Sequence, residues 1–146
     1  MRRKDREVTD AGKIREAIEA SHCCRLGFYD EGEVYIVPMN FGYTEEEEKR
    51  IFYFHSAKEG QKITALRANP GICMACVGDT KRATDKFTTE FESAIIRGNA
   101  CEVTDDSEKI HALRLICQRH TPSNMAGFDA AIEKSLDRTG VWKIKI

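Results

Sequence analysis

The chain is 146 residues long, 41% hydrophobic and 32% charged, the make-up of an ordinary folded protein and not of a disordered or fibrous one. Its 23 Lys and Arg against 24 Asp and Glu leave a net charge of -1, so there is no global basic field to draw nucleic acid without sequence preference. No apolar run approaches the roughly 20 residues that cross a bilayer, and the start lacks the apolar stretch of a secretory signal. A cytoplasmic chain folding as one domain over residues 1–146 is expected, with neither membrane nor nucleic acid as partner. In that compartment thiols stay reduced, so the six Cys read as small buried hydrophobes and not as a disulfide framework.

The mixed-charge run Arg2 to Glu7 reads as a solvated entry to a first helix. Thr9 or Asp10 can cap that helix, which runs to about Ala20 with Ile14, Ala17 and Ile18 at helical spacing. Cys24 to Tyr29 alternates like a strand, the turn Asp30-Glu31-Gly32 reverses it, and Val34 to Tyr43 answers as a second strand. Thr44 to Lys49 carries four consecutive Glu, too much like charge for a core element, and reads as a solvated hairpin loop rather than a metal site. Ile51 to His55 is a third strand. Gln61 to Ala68 is a short helix, ended by Asn69-Pro70-Gly71.

Ile72 to Val77 suits a buried strand, and Gly78 to Lys86 reads as a polar loop. Phe87 to Val103 is the longest strand, with Gly98 marking a bulge or bend. Asp105 or Asp106 caps a helix from Ser107 to about Gln118; residues 124–136 form another helix, and Val141 to Ile146 a last strand. Short connections between bent antiparallel strands favour a small closed barrel with peripheral helices, mainly β with α.

One junction gathers more donors than a turn requires. In "YFHSAKEGQKITAL", residues 53–66, a strand gives way to a helix whose first backbone N–H groups are unpaired and attract anions. Ser56 adds a hydroxyl, Gly60 allows close backbone approach, Gln61 an amide and Lys62 a point charge. The competing reading makes Ser56 a loop cap, His55 a core residue and both Lys58 and Lys62 solvated. Spacing alone leaves both open.

The stretches "MRRKDREVTD", "RLGFYDEGEVYIVPMNFGY", "IFYFHSAKEGQKITAL" and "SAIIRGNACEV", in order over roughly 100 residues, resemble the pyridoxamine-phosphate-oxidase-like flavoproteins, and among them the Nim-type nitroimidazole-resistance proteins. The resemblance implies an FMN-binding split barrel that forms a homodimer, with FMN, or alternatively FAD, in a groove between subunits. It places His55 and Ser56 on the strand before the phosphate helix, and Gln61 and Lys62 at the phosphate, Gln61 standing where related oxidases often carry Arg. It also puts Pro38, Met39, Asn40 and Phe41 beside the isoalloxazine, and Ser93 where a polar side chain points at the flavin. Met39 and Phe41 share a strand face and could equally be core. Trp142 reads as a packing anchor whose indole N–H could reach the pocket edge.

The C-x-x-C of Cys73 and Cys76 raises zinc or thiol redox chemistry, but on a strand residues i and i+3 face opposite ways. A zinc site completed by His22, Cys23 and Cys24 would need adjacent ligands all to point inward, so no metal is expected. His111 and His120 read as surface or capping residues, and no Ser-His-Asp or paired-carboxylate arrangement supports a hydrolase. The resemblance implies an oxidoreductase passing electrons from a reduced nicotinamide through FMN to a small acceptor, a nitroaromatic if the Nim likeness extends to activity, with His55 as proton donor. The other reading is a protein that sequesters flavin or haem without turnover.

Overall fold

The computed structural model describes residues 3–47 and 49–146, apart from the side chain of Asp79; Arg2, where the mixed-charge run begins, and Glu48, the last Glu of the acidic run between Thr44 and Lys49, lie outside the described residues. Helix α1 (Ala11–Glu19) starts at Asp10, whose carboxylate accepts from the Lys13 N–H at 2.9 Å. Strands β1 (Cys24–Asp30) and β2 (Glu33–Met39) are joined by Glu31 at φ 50° and Gly32 at φ 90°. Two positive φ values in a two-residue loop match the right-handed twist of the flanking strands.

The second expected strand is two strands. β2 pairs with β1, but at Asn40-Phe41 the chain leaves that edge, and β3 (Gly42–Glu46) pairs instead with β4 (Lys49–Ala57). The acidic run is accordingly not all loop. Glu45 lies within β3, and its charge is met by Arg15, by Arg50 at 3.1 Å and by the Tyr43 hydroxyl. Where β3 comes under helix α3 (Asp106–His120), a Cβ on Gly42 would stand 3.0 Å from Leu115 Cβ and 3.1 Å from Ile116 Cγ1, so any larger residue would have to push the helix back.

Helix α2 (Gln61–Ala68) has the expected bounds. Strand β5 (Gly71–Arg82) runs beyond Val77 into the expected loop, because Lys81 and Arg82 continue to pair with Glu90 and Thr89 of β6 (Thr89–Glu102). The register shift falls between Val77 and Thr80, not at Gly98. Gly98 pairs in register with Ile72, and the room its missing side chain leaves is taken by Ile144, 3.2 Å from where a Cβ would be. The expected helix over 124–136 is broken into a 3-10 turn at Pro122–Gly127, helix α4 (Phe128–Ser135) and a second turn at Leu136–Arg138. The last strand is β7 (Thr139–Lys145).

The seven strands form one antiparallel sheet in the order β2-β1-β5-β6-β7-β4-β3. β6 turns the corner: up to Asn99 it pairs with β5, and from Ala100 with β7. β2 and β3, at the two ends, are not hydrogen-bonded to each other. The expected closed barrel is therefore split, at the place where the chain steps from one edge to the other. Pro38, which has no N–H to give a ladder, sits on the edge strand β2 where that lack is tolerated.

Leu26, Phe52, Phe54, Met74, Trp142 and Ile144 help fill the inside. A second core of Ile51, Tyr53, Leu113, Ile116, Phe128 and Val141 lies under α3 and α4. β4 serves both through its alternating faces. Trp142 is 3% exposed, its ring stacked on Phe54 at 6.5 Å and 7°. No helix among the described residues is long and apolar enough to cross a membrane.

Candidate functional site

At the end of β4 the chain makes a loop of three residues and enters α2 through Gly60, at φ 123°, a conformation that favours glycine. The Gly60 carbonyl accepts from Ile63 and Thr64 at 3.0 Å each, and no side chain caps the helix. The N–H groups at its start are left to face an anion.

The side chains around this start come from both ends of the split. Lys62 is half-buried, and its ammonium is 3.3 Å from the thioether sulfur of Met39 at the end of β2. Thioether sulfur is a weak acceptor for a full charge, and burial pushes this amine below its ordinary pKa. Gln61 donates its amide to Asp30 Oδ2 at 2.6 Å, tying α2 to the end of β1. The Ser56 hydroxyl is turned to the Ala57 carbonyl at 2.7 Å.

His55 is exposed on β4 opposite Val141, yet lost solvation, Lys62 and His120 all lower its pKa. At neutral pH its imidazole is uncharged and a readier proton acceptor than donor. Pro38 and Asn40 are exposed and Met39 half-buried. Phe41 is 1% exposed, its ring between Phe52 and the Arg119 guanidinium, which lies 4.4 Å above it, so the ring itself has no open face. Ser93 is exposed on β6, opposite Val77. β6 is three strands from β2 in the sheet, and no side-chain hydrogen bond among the described residues joins Ser93 to Lys62.

Two residues at the end of α3 belong to this region and have no local signature. His120 is no surface cap: its Nε2 lies 3.0 Å from the Phe41 carbonyl and 3.3 Å from the Phe41 N–H, able to serve one or the other according to tautomer. Arg119 donates to the carbonyls of Ile18, Glu19 and Ser21 at 2.8–3.0 Å, joining the end of α3 to the end of α1. Together they hold the step between β2 and β3. A pair of basic residues in the last turn of a helix is the only hint in the sequence.

Cys73 is exposed and Cys76 buried, on opposite faces as strand alternation requires. Among the described residues no three His, Cys, Asp or Glu converge where a metal ion could be held.

Lost solvation is the first cause that lowers the pKa of both His55 and His120. As pH falls through the ordinary imidazole value of about 6.5, the unfolded chain takes up protons that the folded one refuses, so stability drops. We predict a melting temperature that declines from pH 7.5 to 5.5, above the range in which the lowered carboxylates Glu45 and Glu108 protonate. A flat profile there would contradict the lowered pKa of these imidazoles.

Residues 10–146 match the family model described as pyridoxamine 5'-phosphate oxidase. Among solved structures, a proposed 5-nitroimidazole antibiotic resistance protein from Bacteroides thetaiotaomicron is 30% identical, with a TM-score of 0.74 over 94% of this chain and 80% of that one. A FAD-binding protein from Mesorhizobium loti is 21% identical, TM-score 0.65, over 92% and 88%. The flavocytochrome Anf3 from Azotobacter vinelandii is 20% identical, TM-score 0.76, over 95% of this chain and 64% of its own. No curated protein matches the chain.

Proposed function

Because the chain belongs to the pyridoxamine 5'-phosphate oxidase family, we propose that it holds FMN by its phosphate at the start of α2 and acts as a flavin-dependent oxidoreductase on small acceptors. The observation that carries this is Lys62: a half-buried ammonium with only a thioether as partner among the described residues, beside an uncapped helix start. A phosphate supplies the acceptor oxygens that both lack.

Lys62 and the first N–H groups of α2 would bind the phosphate, with Ser56 turning its hydroxyl from the Ala57 carbonyl to join them. Gln61 would contribute only by releasing Asp30. Pro38 and Met39 would wall one side and keep water from it, and Asn40 offers an exposed amide for orientation. When bound, FMN supplies the transfer of electrons from a reduced nicotinamide to the acceptor, for which the relative from Bacteroides suggests a 5-nitroimidazole. An anion beside Lys62 offsets that ammonium's share of the depression of His55, which stands second to lost solvation. The imidazole pKa then rises toward the range in which a proton is readily given and recovered at the acceptor.

A second copy of the chain completes the site in this reading. Val34 and Ile36 on β2 and Phe91 and Ile95 on β6 are each at least 58% exposed, an apolar outer face suited to burial in a homodimer. Ser93 would approach the flavin from the other subunit.

The test is the absorbance spectrum of the isolated protein, with the released cofactor identified by mass. A flavin spectrum bleached by NADH or NADPH and restored by a 5-nitroimidazole is expected, with His55→Ala slowing the second step more than it loosens the flavin. Colour without turnover would make this a flavin- or haem-sequestering protein, and a colourless protein that takes up no added FMN would overturn the proposal. Release of FAD would replace FMN as the cofactor.

A further inference from the structure

Away from this corner, three thiols gather where the α1–β1 turn meets β5. Cys24 and Cys76 are direct partners in the antiparallel register of β1 and β5, at 1% and 0% exposure, and both belong to the barrel core. Directly opposed residues in such a ladder have Cα atoms about 4.5–5.5 Å apart, inside the roughly 4.4–6.8 Å that a disulfide spans. Register puts their side chains on one face of the sheet, and bonding needs the Cys24 thiol to turn from the Met39 carbonyl on the β2 side toward β5. The thiols are free.

Cys23, half-buried, lines a cavity of about 220 Å³ together with His22, Arg25 and Gly78. The turn carrying it is fastened to β5 through buried Ser21, whose hydroxyl donates to the Cys23 carbonyl at 3.0 Å and accepts from the Val77 N–H at 3.2 Å. We propose that Cys24 and Cys76 form a redox-active dithiol, oxidised to a disulfide by hydroperoxides that enter through Cys23.

The Cys23 thiolate attacks one peroxide oxygen and the O–O bond breaks. Cys23 becomes a sulfenic acid, and water or an alcohol leaves with the proton. The Cys76 thiol then displaces water from the sulfenic sulfur, forming a Cys23–Cys76 bond. Cys24 attacks the Cys76 sulfur and returns Cys23 to its thiol. In sum, two thiols and one hydroperoxide give one disulfide, one alcohol or water, and one water.

Burial raises the Cys24 thiol to about 12 and the Cys76 thiol to about 11, which slows attack by either on a peroxide arriving from solution and leaves entry to the accessible thiol, whereas their attacks on sulfur within the chain gain from proximity. The spacing C-x-x-C thus joins Cys76 to the wrong partner. Its mate is 52 positions back in sequence by the register of the sheet.

The pair also reaches the corner described above. The Cys24 thiol donates to the Met39 carbonyl at 3.3 Å, and the Met39 sulfur carries the Lys62 ammonium. Oxidation removes that donor, so the end of β2 loosens in the disulfide form. This last link rests on the flavin reading; the disulfide does not.

The experiment uses the full chain with exposed Cys73 and Cys101 replaced by Ser to suppress links between molecules. Reduced protein is treated with hydrogen peroxide, alkylated under denaturing conditions, digested and mapped by mass. A peptide pair joined through Cys24 and Cys76 is expected, and Cys23→Ser should slow its appearance by roughly tenfold or more, since attack then falls to buried thiols. Complete alkylation of Cys24 and Cys76 after treatment, an end product linked through any other pair of cysteines, or Cys23 over-oxidised while the other two stay reduced would each overturn the proposal. So would an unchanged rate in Cys23→Ser. The map reads the unsubstituted pair, so it does not depend on whether Cys24→Ala or Cys76→Ala folds, and it requires no bound flavin.

Discussion

Replacing Lys62 with Ala is expected to weaken FMN retention ten- to a hundredfold. A hydrogen bond to a charged group contributes about 1.5–3 kcal/mol, and each 1.4 kcal/mol is about a tenfold change in affinity. The loss sits at this residue because Gln61 is engaged by Asp30 and Ser56 by Ala57. Neither offers a second charge. The folded protein should tolerate the change, since the ammonium gives up only its contact with Met39 sulfur. Lys62→Met, which keeps the stem and removes the charge, should match Ala in affinity while retaining stability. Flavin titration by fluorescence quenching reads both. Undiminished affinity in both variants would place the phosphate away from α2, and recovery in Lys62→Arg would show that charge, more than reach, is what counts.

Trp142→Ala should destabilise the fold by about 3–5 kcal/mol, the usual range for a large aromatic removed from a core. The ring is stacked on Phe54 and bridges the centre of the barrel, where β7 pairs with both β4 and β6. Its indole N–H is buried without a hydrogen-bond partner among the described residues, so Trp142→Phe loses no hydrogen bond and keeps most of the volume. We expect Phe to cost far less than Ala. Urea unfolding of the two variants checks the ordering. If Trp142→Phe destabilised as much as Ala, the indole N–H would have to be doing more than filling space.

What the sequence conveys well is local. Asn69-Pro70-Gly71 ends α2 where expected, Asp10 and Asp105 cap their helices, and the Glu31-Gly32 turn joins β1 to β2. The break between β2 and β3 is not legible in this way. Nothing at Asn40-Phe41 stops a strand; the chain turns away because β4 offers a ladder at the other edge and α3 provides a floor at Gly42. The extension of β5 is hidden likewise, since Lys81 reads as loop until Glu90 stands opposite.

The corner shows the same division. Its strand-to-helix half, from His55 to Lys62, is contiguous and can be read. The half contributed by Met39 and His120 arrives through long-range packing. Arg119 and His120 sit 79 positions from Phe41 in the case of the histidine, and only the assembled barrel brings them to the same backbone.

Because the barrel is split, it has two free strand borders, and each carries a deterrent to lateral polymerisation. Pro38 lies in β2 and denies an incoming strand one N–H, while β3 ends in exposed Glu46, whose negative charge would meet its own kind in a like-with-like pairing. Gatekeeping of this sort blocks ribbon growth. Edge-to-edge growth into hydrogen-bonded fibrils is thereby disfavoured at both borders.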